Sequence, residues 1–367
     1  MDEIDKPHHR INQQMSCTNC GAILRYSPNA SAIACPYCGS ENKIEQKSEQ
    51  EITDATKELS YLDFLKHNKD KGVKIEVKTV KCTGCGAVST LKPNLTSDVC
   101  GFCGTSLVLE NGGISSVVKP KAMLPFKIEQ KKGLELFQQW IADLWFAPND
   151  LVKAARTNEK LKGMYLPYWT YDANTYSEFS GERGVNRTEY YTDSEGNQQS
   201  RIRTDWFPVS GDLTKDFDDV LVIATNSLPQ DYTQALEPWD LKDLAPYDDR
   251  YISGFQTEMY QVEIEQGFER AKKRMEDQIE DDIKRKIGGD QQRIHRLNVD
   301  YDNITFKHIL LPIWICSYLY NGKVYRFLIN GRTGEVQGER PYSWIKIALL
   351  VIAVIGVVYL LHRLGLF

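Results

Sequence analysis

The chain has 367 residues, a formal net charge of −5 and an apolar fraction of 41%. This length and composition allow a sizeable hydrophobic core and two or three domains. The mildly acidic balance argues against a protein that coats nucleic acid, because such proteins carry a strongly basic surface.

The first stretch, residues 1–15, is polar and has no apolar period, which predicts a loose tail. Two adjacent histidines in such a tail, His8 and His9, are more typical of solvated side chains than of a metal site.

Eight of the nine cysteines fall into two sets of paired Cys-x-x-Cys motifs. Fourteen residues separate the two pairs in each set, and the second set repeats the first with every cysteine moved by 65 positions. Glycine follows each pair, so the repeat extends beyond sulfur. This pattern indicates an internal duplication of one small unit. The cysteines are Cys17, Cys20, Cys35, Cys38, Cys82, Cys85, Cys100 and Cys103.

Four thiolates from two Cys-x-x-Cys turns match the tetrahedral coordination of a structural zinc ion. We therefore predict two zinc ribbons, residues 16–42 and 79–110, each holding one Zn²⁺ that supplies folding energy. Disulfides would need an oxidising compartment, and the N-terminal stretch lacks the apolar run of a signal peptide. Redox or iron–sulfur cysteines usually show other patterns. With four sulfur ligands neither zinc keeps an open position, so the ribbons are predicted to be scaffolds or binding surfaces.

Between the ribbons, residues 43–78 form a predicted linker with a short helix, Ile52–Lys69, and a strand over residues 73–78. The cysteine segments carry almost no charge: Arg25 between Cys17 and Ser40, and Lys92 with Asp98 between Cys82 and Ser106. Duplex binding needs several basic side chains on one face, because phosphate contacts supply most of the affinity. Protein contact is therefore favoured over nucleic-acid binding, although aromatic residues that could stack on bases are present: Tyr26, Tyr37 and Phe102.

Residues 114–342 are predicted to form an α+β domain of helices packed on antiparallel sheet. Apolar stripes predict helices at Ile128–Phe146 and Tyr260–Ile287, and a second short helix is predicted through Arg156. The motif Leu-Pro-x-Trp occurs twice, at 166–169 and 311–314, each time after a helix and before strands. Two divergent helix-plus-meander halves are one interpretation of this domain. Further predicted features are strands at Met164–Tyr171 and Asp219–Thr225, a hairpin tip at Ser194–Asn197, and a strand, turn and strand at 325–336.

No phosphate-binding loop, dinucleotide fingerprint, zinc-protease motif or nucleophile elbow occurs in the chain. We therefore predict no enzyme and no catalytic residue. Paired-carboxylate chemistry is conceivable at Asp172, Glu178 and Glu182 beside Arg183, but solvated carboxylates are the more common case. Three further residues are expected to be structural: His295, His308 and Cys316.

The C-terminal stretch contains fifteen residues without a charge, Ile347–Leu361. Counted over residues 344–367, with the flanking Lys346 and Arg363 reaching out of the hydrocarbon, the segment is long enough to cross a membrane. Tyr342 and Trp344 stand where an interfacial aromatic belt is expected. A single transmembrane anchor is predicted, with the bulk of the protein in the cytoplasm because reduced zinc-loaded cysteines belong there.

Several segments together carry a resemblance to a known family. They are the tandem ribbons, the strand LPYWTYD ending at Asp172, the segment NGRTGEVQGERPY ending at Tyr342, and the terminal anchor. The chain resembles a bacterial family of membrane-anchored, TFIIB-type zinc-ribbon proteins, often labelled primosomal protein N′ (replication factor Y) or superfamily II helicase-like. The missing phosphate-binding loop departs from the helicase label.

This resemblance implies a membrane-anchored adaptor that recruits protein partners, among them SPFH-domain or phage-shock-type proteins of the envelope-stress response. The alternative it leaves open is a zinc-ribbon nucleic-acid-binding protein related to primosome components but without its own ATPase.

Overall fold

In the computed structural model the chain mixes helices with largely antiparallel sheets. The structure describes residues 15–30, 32–44, 48–67, 74–90, 97–108, 112–148, 161–194, 196–320 and 323–364. Residues 1–14 of the predicted tail, which include His8 and His9, and the predicted short helix through Arg156 lie outside these residues.

The helices are α1 (Glu49–Thr56), α2 (Tyr61–His67), α3 (Gln130–Asp143), α4 (Gln230–Gln234), α5 (Asp249–Ile252), α6 (Ile264–Ile287) and α7 (Trp344–Arg363). The strands before α3 are β1 (Ala32–Ala34), β2 (Glu41–Lys43), β3 (Leu59–Ser60), β4 (Lys74–Lys81), β5 (Val88–Thr90), β6 (Ser97–Val99), β7 (Ser106–Val108), β8 (Gly112–Val118) and β9 (Ala122–Met123). The strands after it are β10 (Lys162–Thr192), β11 (Gln198–Ile223), β12 (Ala245–Pro246), β13 (Gln256–Thr257), β14 (Gln291–Tyr320), β15 (Lys323–Asn330) and β16 (Val336–Gly338).

Three very long strands dominate the main sheet, whose order is β11-β10-β14-β15-β16. They contain 31, 26 and 30 residues in β10, β11 and β14, against about 5–6 for an ordinary strand. Near the start of β10 the side chains are buried on both faces, whereas beyond Arg183 most are exposed. The β10–β11 hairpin therefore extends past the core, and its predicted tip lies between Thr192 and Gln198.

The two Leu-Pro-x-Trp motifs lie side by side at the centre of this sheet. Leu166 pairs with Leu311 in the antiparallel ladder of β10 and β14. The Trp169 indole donates a hydrogen bond of 2.9 Å to the Val262 carbonyl, two residues before α6. The Trp314 indole donates one of 2.8 Å to the Ile128 carbonyl, two residues before α3. Each motif thus contacts the backbone just before the other motif's helix.

A glycine in each of these helices completes the correspondence. Gly133 and Gly267 are both the fourth residue of their helix. A Cβ added to Gly267 would lie 2.9 Å from Cδ1 of Trp169, and one added to Gly133 would lie 3.4 Å from Cδ1 of Trp314. The two indoles therefore pack where the helix backbone is bare.

Helix α6 packs its apolar stripe on the main sheet, as its periodicity predicts. The seven predicted stripe residues are all buried, and they pack with one another and with sheet residues such as Trp169 and Phe306. Gly288, with φ of 67°, ends the helix. The buried stripe is Ile264, Phe268, Ala271, Met275, Ile279, Ile283 and Ile287.

The single helix predicted over residues 52–69 is wrong, because the segment forms two helices, α1 and α2, around β3. The sheet provides the reason: Leu59 pairs with Phe306 and Ser60 pairs with Thr305. The local apolar period could not show this long-range pairing, which outweighs the helical preference of the segment.

Candidate metal centres

Each of the four Cys-x-x-Cys-Gly segments forms the same tight turn. The glycine after the second cysteine of each pair has a positive φ of 73–77°, and an added Cβ would meet no atom within 4 Å. Backbone conformation rather than space therefore demands glycine here. In every turn the glycine N–H donates to the carbonyl of the first cysteine, at 2.9–3.0 Å. The glycines are Gly21, Gly39, Gly86 and Gly104.

The turns bring the predicted ligands together in two groups of four. In each group one sulfur atom per residue lies within 4.8 Å of the other three. The closest sulfur pairs are 3.6 Å apart in the first group and 3.5 and 3.6 Å in the second. Four sulfurs at ~2.3 Å around one zinc are about 3.8 Å apart by tetrahedral geometry, whereas a disulfide has an S–S distance of ~2.05 Å. Each group could therefore hold a zinc ion.

A hydroxyl group supports the second turn of each group, and the sequence analysis missed it. Ser40 Oγ lies 3.0 Å from the sulfurs of both Cys17 and Cys38. This contact, more than any other, lowers the pKa of both thiols, to about 5 for Cys17. Ser40 stabilises the thiolate form that binds metal.

Thr105 holds the equivalent position in the second group, with its hydroxyl 3.2 Å from Cys103 Sγ. Burial raises the pKa of Cys103, but the hydroxyl and backbone N–H of Thr105 and contacts with Cys82 and Cys85 outweigh it and lower that pKa to about 7. The repeat of Cys-Gly-Ser as Cys-Gly-Thr was the signal that could have identified both residues.

The first cysteine unit, residues 15–44, attaches to the turn after α5. The Tyr26 N–H donates to the Ser253 carbonyl at 2.8 Å, and the Ser253 hydroxyl donates to the Leu24 carbonyl. The Tyr26 ring packs edge-on against Tyr251, with 5.1 Å between the ring centroids. This attachment leaves the second turn of the unit on the surface, where Tyr37 is 80% exposed.

The second cysteine unit, residues 80–108, packs into the domain core instead. Phe102, which aligns with Tyr37, is fully buried in one cluster with Met164 and Leu166 of β10. A Cβ added to Gly101 would lie 2.4 Å from Sδ of Met164, so only glycine allows this close approach. Lys162 donates to the Val99 and Cys100 carbonyls at 3.2 and 3.4 Å.

A third group of possible metal ligands contains Glu58, Asp172 and Asp219. The Lys307 ammonium lies 2.8 Å from both Glu58 Oε1 and Asp219 Oδ1 and already supplies a positive charge to the group. Burial and the hydrogen bond to Glu58 raise the pKa of Asp172 to about 7. Burial opposes ionisation of Glu58, but hydrogen bonds from Asp172, Lys307 and Thr305 lower its pKa to about 2. The arrangement is an ion cluster that attaches β3 to the sheet.

Among the described residues, the carboxylates considered for paired-carboxylate chemistry do not come together in one site. Asp172 belongs to the ion cluster, Glu178 is exposed on β10, and Glu182 lies beside Arg293 and His295. The Arg183 guanidinium lies 6.0 Å from the Phe207 ring centroid.

The remaining candidates are buried in the domain. Cys316 belongs to the hydrophobic core. His308 is buried between the Trp169 and Tyr260 rings, and its Nδ1 lies 2.8 Å from the Val118 carbonyl oxygen. These surroundings agree with structural roles.

A surface cavity of about 290 Å³ opens between α4, α6 and the edge strand β11. Tyr168 lines it, and the Arg274 guanidinium makes two hydrogen bonds, of 2.9 and 2.8 Å, to the Glu237 carboxylate there. This ion pair joins α6 to the segment after α4.

Helix α7 is the candidate membrane span. It contains 20 residues with a mean hydropathy of 2.6 in its most apolar window, and none of that window is buried against the described residues. Within the part of the chain that the structure describes, one helix is therefore long and apolar enough to cross a membrane.

Comparison with known proteins gives a distant relative. Over 349 residues the chain is 26% identical to the uncharacterized protein YdjG of Bacillus subtilis (strain 168), covering 95% of this chain and 96% of that protein. No family model matches the chain, and no solved structure matches it. The similarity extends across nearly the whole of both chains and is not confined to the cysteine units.

Proposed function

We propose that the protein is a membrane-anchored cytoplasmic adaptor whose two zinc ribbons recruit a soluble protein to the membrane. The observation that carries this proposal is the exposed second turn of the first cysteine unit. Its base is fixed to the domain through Ser253, while Tyr37 and the neighbouring Cys38 face solvent.

The exposed turn suits a protein partner better than a nucleic acid. Large exposed aromatic side chains often anchor protein interfaces. Between Cys17 and Cys38 the only charged side chain is that of Arg25. Phosphate binding would need several positive charges near Tyr37.

Zinc is the metal that fits the proposed ribbons. Each ion would be held by four thiolates and would supply folding energy to a unit with a small core. The first unit has a two-stranded sheet, β1 and β2, and few buried side chains of its own. A fixed zinc site would make its surface rigid enough to recognise a partner.

The apolar and unburied surface of α7 supports the proposed membrane anchor. A helix that is apolar all round belongs either in a protein core or in a membrane. Its most apolar window is unburied, and 20 residues at 1.5 Å each span ~30 Å, the hydrocarbon thickness of a bilayer. Eight reduced cysteines grouped for metal binding support a cytoplasmic location for the bulk of the chain.

Photo-crosslinking tests the adaptor proposal. The substitution Tyr37→p-benzoylphenylalanine is made in the full-length protein, in cells that express it naturally, and Tyr190→p-benzoylphenylalanine is the matched control. Tyr190 is 74% exposed on the distant hairpin. Specific crosslinks to a soluble protein from position 37, absent from position 190, support the proposal.

Two results would contradict it. Crosslinks from position 37 to DNA or RNA would favour the nucleic-acid-binding alternative. Identical products from positions 37 and 190 would show that the first unit makes no selective contact. SPFH-domain and phage-shock-type proteins are the partner classes to examine first among the products.

A further inference from the structure

The turn after α3 is joined directly to the start of α7. The Ser343 N–H donates to the Phe146 carbonyl at 2.7 Å. The Lys346 ammonium donates to the carbonyls of Trp145 and Ala147, at 3.1 and 2.8 Å. These three hydrogen bonds fix the first turn of the candidate anchor to the body of the protein.

Exposed tryptophan is concentrated at this junction. Among the seven tryptophans, Trp145 is 78% exposed and Trp344 is 79% exposed. The other five are buried or half-buried. Tryptophan side chains are mostly buried on average, so two exposed indoles on one side of the protein need an explanation.

The position of Trp145 along the membrane normal follows from Lys346. That lysine directly precedes the uncharged stretch that begins at Ile347. Its ammonium remains with the headgroups when the apolar stretch enters the hydrocarbon. The Trp145 backbone is hydrogen-bonded to this ammonium, so its indole lies at the level of the headgroups, where tryptophan is enriched in membrane proteins.

We infer that the Trp145 turn is a second membrane contact, which inserts its indole into the headgroup region of the lipid bilayer beside the anchor. This inference rests on the proposed membrane anchor. Together with α7, the turn holds the body in one orientation against the bilayer instead of on a free tether. A fixed orientation would let the first cysteine unit meet its partner in a constant geometry.

Fluorine NMR of the full-length protein in lipid nanodiscs tests the inference. The seven tryptophans are labelled with 5-fluorotryptophan, and the signals are assigned from the variants Trp145→Phe, Trp344→Phe and Trp206→Phe. Lipids carrying a paramagnetic headgroup are then added. The Trp145 signal should broaden as strongly as that of Trp344, while the signal of Trp206 on the hairpin should stay sharp.

The possible outcomes test the Trp145 contact separately from the membrane anchor on which it rests. Broadening of Trp344 without Trp145 would overturn the second contact and leave the anchor intact. Sharp signals from both residues would overturn the anchor as well. Broadening of all three signals to the same degree would show non-specific contact with the disc and would also reject the inference.

Discussion

The two cysteine units share a sequence pattern, a turn geometry and a sulfur arrangement, yet their second turns lie in opposite surroundings. Tyr37 of the first unit is 80% exposed, whereas Phe102 at the equivalent position is fully buried. One residue earlier, Pro36 stands where the second unit has Gly101, which packs directly on β10. Both units contribute to the core, but only the second buries the turn that holds its second cysteine pair.

The second unit is also joined to more of the surrounding sheet structure than the first unit is. The second unit is continuous with a three-stranded sheet of β5, β4 and β8, and Val88 accepts a backbone hydrogen bond from Met259. The described residues of the first unit form a separate two-stranded sheet, β1 and β2. The second unit is therefore more extensively joined to the domain than the first, which leaves the first unit available for the proposed partner contact.

Loss of one zinc ligand should affect the two units very differently. Structural zinc contributes on the order of 10 kcal/mol, comparable to the whole stability of a domain. Cys100→Ser should therefore unfold the main sheet, whereas Cys35→Ser should unfold the first unit alone. Hydrogen exchange of α6 and β10 in the detergent-solubilised protein measures the difference, with bound zinc counted in parallel. Equal protection of α6 in the two variants would contradict the comparison.

Substitution of the aligned aromatic residues, Tyr37 and Phe102, should also affect stability unequally, but by less than loss of a zinc ligand. Phe102→Ala removes a fully buried ring and should cost about 3–5 kcal/mol of unfolding free energy. Tyr37→Ala changes an exposed side chain and should change stability by about 0.5 kcal/mol or less. Urea unfolding followed by tryptophan fluorescence measures both. A cost for Tyr37→Ala similar to that of Phe102→Ala would show that Tyr37 packs within the protein in solution.

Spacing and periodicity predicted the parts of this structure that depend on near neighbours. The cysteine spacing located both sulfur groups, because a Cys-x-x-Cys-Gly turn is determined within five residues. The apolar period of α6 predicted its buried stripe, since one face of a long helix must meet the core.

Contacts between distant residues were not predictable in this way. Tyr37 and Phe102 are both aromatic residues between two cysteines, and only contact with Met164, more than sixty positions away, separates their environments. The ion cluster likewise joins Glu58 to Lys307 across the chain. The division of the predicted helix at Leu59–Ser60 has the same origin, because its cause is pairing with β14.

Acid should lower the stability of the domain through His308, which contacts β8, the strand that follows the second unit. Burial lowers the pKa of His308 to about 4, although its contact with the Val118 carbonyl of β8 opposes that shift. In the unfolded chain the pKa is about 6.5, so between these values the unfolded state binds one more proton. Stability from this residue is complete above about pH 6.5 and falls by up to about 3 kcal/mol as the pH approaches 4.

Comparison of the pH profiles of wild type and His308→Gln isolates this contribution from the acid sensitivity of the zinc sites. The variant should lose less stability than wild type on acidification, and His295→Gln, which changes an exposed histidine, should follow the wild-type profile. Parallel profiles for all three proteins would show that His308 does not resist protonation.

The hydroxyl groups beside the sulfurs should make the smallest difference between the units. Ser40 lies 3.0 Å from two sulfurs of the first site, whereas Thr105 contacts one sulfur of the second site at 3.2 Å. Removing a group that supports metal ligands typically lowers metal affinity by about 10–100-fold. Ser40→Ala should therefore weaken zinc binding more than Thr105→Val does. Zinc release to a competing chelator measures the difference. Ser40→Thr, which keeps the hydroxyl group, should bind zinc as tightly as wild type. The reverse order would mean that burial, rather than the number of hydroxyl contacts, controls how strongly each unit depends on its hydroxyl group.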